Sequence, residues 1–236
     1  MKIIISPSKT YSLEKAEIIS DHHINDKSYV LFNKIKNMSK LDLSIAFNIK
    51  SKLLNETYDL YHEGFSNNLF IKAIDYYNGV VFSQLNISKY TVEQRKYMDS
   101  HLIILSAMYG FLQPSSLVIP YRLDMTVKIP DINLYEYWQE EVSGYFKDDD
   151  LIINLASNEF SKMLKNKRKS FISIDFYDSV NKKTPSYNTK KMRGLMLNHI
   201  IENQIIDVKA IREFSCDNYV YDKNLSTVNN YVFIKK

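Results

Sequence analysis

The chain has 236 residues, of which 45% are hydrophobic, and it carries a net charge of +4 at pH 7. This length and apolar content predict one compact domain over residues 1–236, and no apolar run is long enough to cross a membrane. The one cysteine, Cys216, excludes an internal disulfide framework and a cysteine-based zinc cluster. The three isoleucines near the N-terminus are too few for a signal-peptide core, so we expect a cytoplasmic protein.

Short apolar runs alternate with helical patterns along the chain. The runs predict strands over residues 2–5, 80–82, 102–105, 151–155, 171–176 and 231–234. Helical patterns cover residues 28–36, 39–61, 67–77, 91–99, 134–146 and 189–204, and Thr91 with Gln94 fits a capping box. Because the strand runs are continuously apolar, both faces of the sheet should be covered. The sequence therefore predicts an α/β fold with a central, largely parallel mixed sheet flanked by helices.

Three of the predicted strands end in short polar segments, and ligands in open α/β sheets bind outside the carboxyl ends of the strands. The first strand runs into SPSKT, the strand over 102–105 into SAMYG, and the strand over 151–155 into ASNEF. These exits predict a shared pocket lined by Ser6, Ser8, Lys9, Ser106, Tyr109, Gly110, Asn154, Ser157 and Glu159, with Arg122 folding back from residues 120–125. The alternative is that these serines and asparagines only cap the helices that follow.

We expect Lys9, Arg122 and Arg193 to converge on one anion site, although they lie far apart in the sequence. The planar fork of an arginine can bind two oxygens of a phosphate at once, and Asp124 is near enough in sequence to orient Arg122. In the last predicted helix, Lys190, Arg193 and Gly194 are neighbours at i, i+3 and i+4. A glycine inside a helix costs about 1 kcal/mol relative to alanine. Gly194 should therefore admit a ligand, another backbone or a neighbouring strand.

Positive charge is concentrated between Ser161 and Arg193, where ten basic residues and two acidic ones give +8 and leave −4 for the rest of the chain. The densest part of this stretch contains Lys165, Lys167, Arg168 and Lys169. Such a segment attracts phosphate, and the same composition also suits a solvated surface with no partner.

Two further motifs have simple explanations. Asn78-Gly79 most simply forms a tight turn, although a hairpin between two helices also presents backbone N–H groups to DNA phosphate. The stretch SDHHIND, residues 20–26, has no second Asp/His cluster to complete a metal site, so we expect a loop and no metal. Nucleotide-binding, zinc-protease and hydrolase signatures are missing from the sequence, and we predict no cofactor.

Five segments together resemble, in order and spacing, the YaaA family of bacterial peroxide-stress proteins. They are IISPSKT, LSAMYGFLQPSSLVIPYRLDM, LYEYW, LIINLASNEFSK and KKMRGLMLNHIIEN, and the resemblance spans essentially all 236 residues. It implies a cytosolic stress-response protein, associated with DNA repair, that binds duplex and branched DNA through a positively charged cleft. It also implies a family-specific α/β fold with a helix-hairpin-helix element.

The matching positions are Ser6, Ser8 and Lys9 in the first block, Tyr121, Arg122 and Asp124 in the second, and Lys191, Arg193 and Gly194 in a K-x-R-G segment. The hairpin departs from the family pattern, because residues 78–85 lack its aspartate and second glycine, and this weakens the hairpin as a DNA contact. The first hypothesis is a protein that binds DNA phosphates without reading sequence. The alternative is an enzyme that acts on a nucleotide or a damaged nucleic acid, with catalytic residues still to be assigned.

Overall fold

The computed structural model describes residues 1–19, 24–63, 69–146, 151–164 and 170–236. The strands in these ranges are β1 Lys2–Ile5, β2 Glu17–Ile18, β3 Leu69–Lys72, β4 Leu102–Ser106, β5 Gly110–Leu112, β6 Leu117–Val118, β7 Ile152–Asn154, β8 Phe171–Ser179, β9 Lys182–Lys183, β10 Ser215–Cys216, β11 Tyr219–Thr227 and β12 Asn230–Lys235. The helices are α1 Asp26–Lys36, α2 Lys40–Phe47, α3 Ser51–Glu63, α4 Ala73–Tyr76, α5 Val92–His101, α6 Leu134–Tyr137, α7 Gln139–Tyr145, α8 Asn158–Ser161 and α9 Ser186–Glu202, with 3-10 helices at Phe82–Gln84, Ile87–Lys89 and Val208–Glu213.

A large mixed sheet forms the centre of the molecule, in the strand order β10-β11-β12-β8-β7-β1-β4-β5. Its five middle strands, β12, β8, β7, β1 and β4, run parallel to one another, whereas β5 and β11 pair antiparallel at the two sides. A small antiparallel sheet, β2-β3-β6, lies apart from it. The predicted α/β fold with a largely parallel sheet is therefore confirmed.

The continuous apolar runs became central strands because both of their faces are buried. Ile3, Ile4 and Ile5 of β1 are completely inaccessible to solvent, and so are Leu102–Leu105 of β4. In a strand covered on both sides, polar residues do not alternate with apolar ones. These strands could therefore be predicted from continuous apolar runs in the sequence.

The register of the parallel strands brings their carboxyl ends to one edge of the sheet. Ile5 lies opposite Ile104, and Ile4 lies opposite Asn154. The chain consequently leaves β1, β4 and β7 side by side, and the segments that follow these strands share one end of the molecule. No helix in the described ranges is long and apolar enough to span a membrane.

Three predicted elements were wrong. Residues 39–61 form two helices, because Asn48 adopts a left-handed conformation with φ 52° and ends α2. Most of the predicted helix 67–77 is β3 followed by the short α4, since Ile71 pairs with Val118 in the small sheet. Residues 80–82 form a turn that enters a 3-10 helix instead of a strand.

The other elements follow the prediction closely. The Thr91 and Gln94 capping box at the start of α5 is confirmed, with both of its hydrogen bonds present. The helical region 134–146 is interrupted at Trp138, which separates α6 from α7. The short strands β2, β3, β5, β6, β9 and β10 were missed, and so was the long but half-exposed β11.

Candidate functional site

A cleft of about 400 Å³ opens at the carboxyl edge of the sheet. Its walls come from the segment after β1, the Asn-Gly turn before the first 3-10 helix, the segment around Arg122, the start of α8 and one side of α9. The residues that line it are Ser6, Pro7, Ser8, Lys9, Thr10, Gly79, Val80, Val81, Phe82, Tyr121, Arg122, Leu123, Asp124, Leu155, Ser157, Glu159, Phe160, Lys190 and Arg193. We call this space the cleft.

Four cationic side chains line the cleft, from Lys9, Arg122, Lys190 and Arg193, against the two carboxylates of Asp124 and Glu159. Within the described residues, neither arginine makes a hydrogen bond or an ion pair through its guanidinium group. The Nε atom of Arg193 is buried without a hydrogen-bond partner. Burial lowers the pKa of Arg193, and the nearby carboxylate of Asp175 opposes this shift. An anion in the cleft would be attracted by both arginines, since neither guanidinium group is neutralised by an ion pair within the described residues.

Buried tyrosines fix the backbone from which Arg122 projects. The Tyr76 hydroxyl accepts a hydrogen bond from the Tyr121 N–H at 2.9 Å and donates one to the Tyr121 carbonyl at 2.6 Å. The Tyr61 hydroxyl donates to the Arg122 carbonyl at 2.7 Å. Burial raises the pKa of both Tyr61 and Tyr76 well above the usual value, so both stay neutral donors. Arg122 is therefore held by main-chain contacts that leave its side chain available.

The Tyr121 side chain forms part of the cleft wall and is supported from behind by the end of β4. Its hydroxyl lies 2.7 Å from Ser106 Oγ and 2.5 Å from the hydroxyl of Tyr77. Burial raises the pKa of Tyr121 to about 12. Ser106 Oγ also accepts hydrogen bonds from the N–H groups of Met108 and Tyr109. The SAMYG segment thus supports the cleft without lining it.

The two carboxylates of the cleft have different partners. Asp124 Oδ2 lies 2.7 Å from Lys9 Nζ, so Asp124 pairs with Lys9, and the expectation that it orients Arg122 was wrong. Glu159 Oε1 accepts a hydrogen bond from the Met125 N–H at 3.1 Å. Burial raises the pKa of Glu159, and the charge of Asp124 adds to the rise. Glu159 thus gains a proton at a higher pH than an ordinary glutamate.

Two glycines let the walls of the cleft approach each other. A Cβ on Gly79 would overlap Ser8 Oγ, and one on Gly194 would overlap the carbonyl oxygen of Val81. The Asn-Gly turn is also joined to the β1 loop, because Thr10 Oγ1 donates to the Asn78 carbonyl at 2.8 Å. Gly194 of α9 therefore allows the backbone at Val81 to pack closely against the helix. The Asn-Gly turn forms one wall of the cleft.

The structure brings some predicted site residues to the cleft and places others elsewhere. Ser6, Ser8, Lys9, Arg122, Asp124, Ser157, Glu159, Lys190 and Arg193 line it, whereas Ser106, Tyr109, Gly110, Asn154, Lys191 and Gly194 do not. Lys191 forms an ion pair with Asp217 at 2.6 Å. Lys165, Lys167, Arg168 and Lys169 lie outside the described residues.

Several of the predicted polar residues also make local hydrogen bonds, although Ser157, the N-cap residue of α8, makes no side-chain capping bond. Ser6 Oγ accepts a hydrogen bond from the Ser157 N–H at 2.8 Å, at the start of α8. Asn154 Oδ1 accepts from the Ala156 N–H at 2.9 Å, and Asn154 Nδ2 donates to Ser173 Oγ. The Tyr109 hydroxyl accepts from the Ile119 N–H at 2.9 Å.

The apolar wall of the cleft has little signature in the sequence. Phe82, Phe160 and Tyr121 line it, yet each is nearly buried and resembles an ordinary core residue. Tyr121 had a usable signal, since it precedes Arg122 in a segment bounded by proline. No group of three or more His, Cys, Asp or Glu side chains within the described ranges is arranged to hold a metal ion.

Comparison with known proteins gives a consistent family match. Residues 1–225 match the family model described as peroxide stress protein YaaA. A UPF0246 protein of Fusobacterium nucleatum is 35% identical, with 100% of this chain and 99% of that protein covered. A UPF0246 protein of Finegoldia magna is 32% identical over 100% of this chain and 98% of its own length, and one of Rickettsia felis is 32% identical with both chains fully covered.

Proposed function

We propose that this chain, which belongs to the peroxide stress protein YaaA family, acts in the peroxide stress response by binding DNA through its phosphates. The observation that carries the proposal is the pair of guanidinium groups, Arg122 and Arg193, in one cleft without a hydrogen bond or ion pair inside the described part of the chain. We also propose that the protein acts in the cytoplasm, as expected from the sequence.

The chemistry of the cleft suits phosphate better than it suits a cation. The planar guanidinium group of an arginine can donate two parallel hydrogen bonds to the oxygens of one phosphate. Lys190 adds an exposed positive charge at the rim of the cleft. Lys9 partly neutralises the opposing carboxylate of Asp124. The contacts are to charge and oxygen atoms, so the expected binding does not depend on base sequence.

A titration of DNA across salt concentrations tests this function. The logarithm of the affinity should fall linearly with the logarithm of the salt concentration, with a slope set by the number of phosphates bound. Replacing Lys165, Lys167, Arg168 and Lys169 by alanine should weaken binding of all sequences alike. It should also flatten the slope by up to about one unit for each phosphate that the variant no longer binds. An unchanged slope would show that these four residues are only a solvated surface.

The protonation of Glu159 should make DNA binding depend on pH. Its raised pKa means that the carboxylate gains a proton at a higher pH than an ordinary glutamate, and each protonation removes a negative charge from the cleft. Affinity for DNA should therefore rise as the pH falls from neutral to mildly acidic. In Glu159→Gln, affinity at neutral pH should be higher and this pH dependence smaller. Equal pH profiles for the variant and the wild type would rule out Glu159 as the titrating group.

Enzymatic action on a nucleotide is the second candidate function. Glu159, with its raised pKa, lies in the same cleft as Arg122 and Arg193, an arrangement that combines a proton donor with anion stabilisation. Incubation of the protein with nucleotides and with oxidised DNA, followed by chromatography of the products, tests it. Product that forms with the wild type and not with Glu159→Gln would establish this activity, whereas no turnover would leave the cleft as a binding site.

A further inference from the structure

We infer that the cleft binds one whole nucleotide, with the phosphate near Lys190 and Arg193, the base against the apolar wall, and hydrogen-bond donors of the base or sugar toward Asp124 and Glu159. This inference rests on the proposed DNA-binding function and names the unit of the nucleic acid that the site takes. It is carried by three kinds of surface, basic, acidic and apolar, that line the same cleft.

The basic surface lies on one side of α9. Lys190 and Arg193 are three residues apart, which places them on adjoining turns of the helix, and both line the cleft. The carboxylate that raises the pKa of Arg193 is that of Asp175 on β8. Neither Asp124 nor Glu159 has this effect, so the two carboxylates of the cleft lie farther from the guanidinium group. The α9 side is therefore the part of the cleft that suits a phosphate.

The acidic surface is formed by Asp124 and Glu159. Asp124 Oδ2 lies 2.7 Å from Lys9 Nζ, and the charges of Asp124 and Lys9 shift the pKa of Glu159 in opposite directions, so the three groups are close together. A site for phosphate alone gains nothing from carboxylates, because they repel the anion. Their presence indicates a ligand that also offers hydrogen-bond donors, such as the amino group of a base or the hydroxyl of a sugar.

The third surface is apolar and makes up most of the wall of the cleft. Val81 and Phe82 belong to it on the side of α9, because the Val81 carbonyl packs against that helix at Gly194. Phe160 belongs to it on the acidic side, since it follows Glu159 in α8. A free phosphate leaves such a wall in contact with water, whereas a planar base covers it.

The size of the cleft agrees with a ligand of one nucleotide. Its volume of about 400 Å³ is near the lower end of the range for small-molecule sites. A nucleotide combines the anion, the donors and the flat apolar surface that the three parts of the cleft accept. A sugar phosphate lacks the apolar surface, and a nucleoside lacks the anion.

Calorimetric titration with three ligands tests the inference: deoxyadenosine monophosphate, deoxyadenosine and deoxyribose phosphate. The monophosphate should bind about tenfold or more tightly than either fragment, because one fragment loses the burial of the base and the other loses the charge-assisted hydrogen bonds of the phosphate. The monophosphate should also displace DNA from the protein, since both ligands occupy the cleft.

Two variants separate the basic surface from the apolar one. Lys190→Gln should weaken binding of the monophosphate and of deoxyribose phosphate about threefold and leave deoxyadenosine unaffected. Lys191→Gln is the matched control, because it makes the same change of charge at the next residue of α9 and Lys191 does not line the cleft. It should bind all three ligands like the wild type.

Phe82→Leu should have the opposite effect and weaken binding of the monophosphate and of deoxyadenosine, with deoxyribose phosphate unaffected. Phe82 is only 5% exposed, so the thermal midpoint of this variant is measured as well. Partial unfolding would reduce binding of all three ligands alike and is thereby distinguished from the loss of a base contact. The wild-type series and Lys190→Gln decide the question even if Phe82→Leu does not fold.

Equal affinity for the monophosphate and deoxyribose phosphate, or for the monophosphate and deoxyadenosine, would overturn the inference. The proposed function fails on a different result, namely DNA binding that does not depend on Arg122. If DNA binding requires Arg122 and deoxyribose phosphate binds as tightly as the monophosphate, the cleft binds phosphate alone and only the inference is wrong.

Discussion

Replacing Arg122 by lysine should weaken DNA binding about tenfold or more and leave the fold intact. Lysine keeps the positive charge and loses the planar fork that contacts two phosphate oxygens at once. Hydrogen bonds to charged groups contribute about 1.5–3 kcal/mol each, so the loss of one such bond accounts for a change of this size. An unpaired DNA strand titrated against both proteins at one salt concentration measures it.

The fold should survive because the structural contacts of Arg122 are made by its backbone. Its carbonyl accepts the hydrogen bond of Tyr61, and the neighbouring N–H and carbonyl of Tyr121 bond to Tyr76, all independently of the side chain at position 122. The thermal midpoint of Arg122→Lys should therefore match that of the wild type.

A second arginine provides the control for this measurement. Arg212 donates to the Tyr231 hydroxyl at 2.8 Å and does not line the cleft. Arg212→Lys should bind DNA like the wild type. Wild-type affinity in Arg122→Lys would mean that the guanidinium does not contact phosphate and that the cleft serves another ligand. A folded Arg122→Lys that binds weakly, beside an Arg212→Lys that binds normally, would support the proposal.

The central strands were predictable because their burial leaves a direct mark on the sequence. The runs that became β1, β4 and β7 contain few polar side chains because both faces of these strands are covered, whereas β8 alternates buried residues with partly exposed ones. The capping box of α5 was predictable for a similar reason, since all of its hydrogen bonds lie within one turn.

The errors fall where distant residues decide the local conformation. Residues 69–72 have an apolar pattern that suits a helix as well as a strand, and they become β3 because β2 and β6 pair with them from remote parts of the chain. Residues 80–82 resemble a buried strand, yet they pack on α9 at Gly194. The sequence shows that α9 contains Gly194, but it does not show which segment of the chain packs against that glycine.

The candidate site shows the same limit. The rule that ligands bind at the carboxyl ends of strands pointed to the edge of the sheet where the cleft opens, and it could not say which side chains would face the cleft. Ser106 ends β4 at that edge and Tyr109 follows it, but the Ser106 hydroxyl bonds to Tyr121 and the Tyr109 hydroxyl to the backbone of Ile119, and neither residue lines the cleft. The network of tyrosine hydroxyls that fixes Arg122 joins residues 45 and 61 positions apart, a pairing that no local pattern predicts.

Replacing Gly110 by alanine should destabilise the protein by about 2–5 kcal/mol, because two costs act at the same residue. Gly110 has φ +75°, a left-handed conformation that costs other residues about 1–2 kcal/mol. A Cβ there would also lie 2.8 Å from a carbon of the Trp138 ring. That ring is 1% exposed, and its Nε1–H donates to the Ala107 carbonyl at 2.8 Å, so it cannot shift without breaking a buried hydrogen bond. Overpacking of this kind costs about 1–3 kcal/mol.

Urea denaturation of Gly110→Ala, compared with Gly144→Ala, separates these costs from the general effect of adding a methyl group. Gly144 lies next to the last residue of α7, and a Cβ there would have no atom of another part of the protein within 4 Å. Alanine at 144 should leave stability unchanged or raise it by up to about 1 kcal/mol through its better helix propensity. If Gly110→Ala were as stable as the wild type, the Trp138 ring would have to move freely. The segment from Ser106 to Gly110, which supports Tyr121 behind the cleft, would then be far less rigid than its hydrogen bonds indicate.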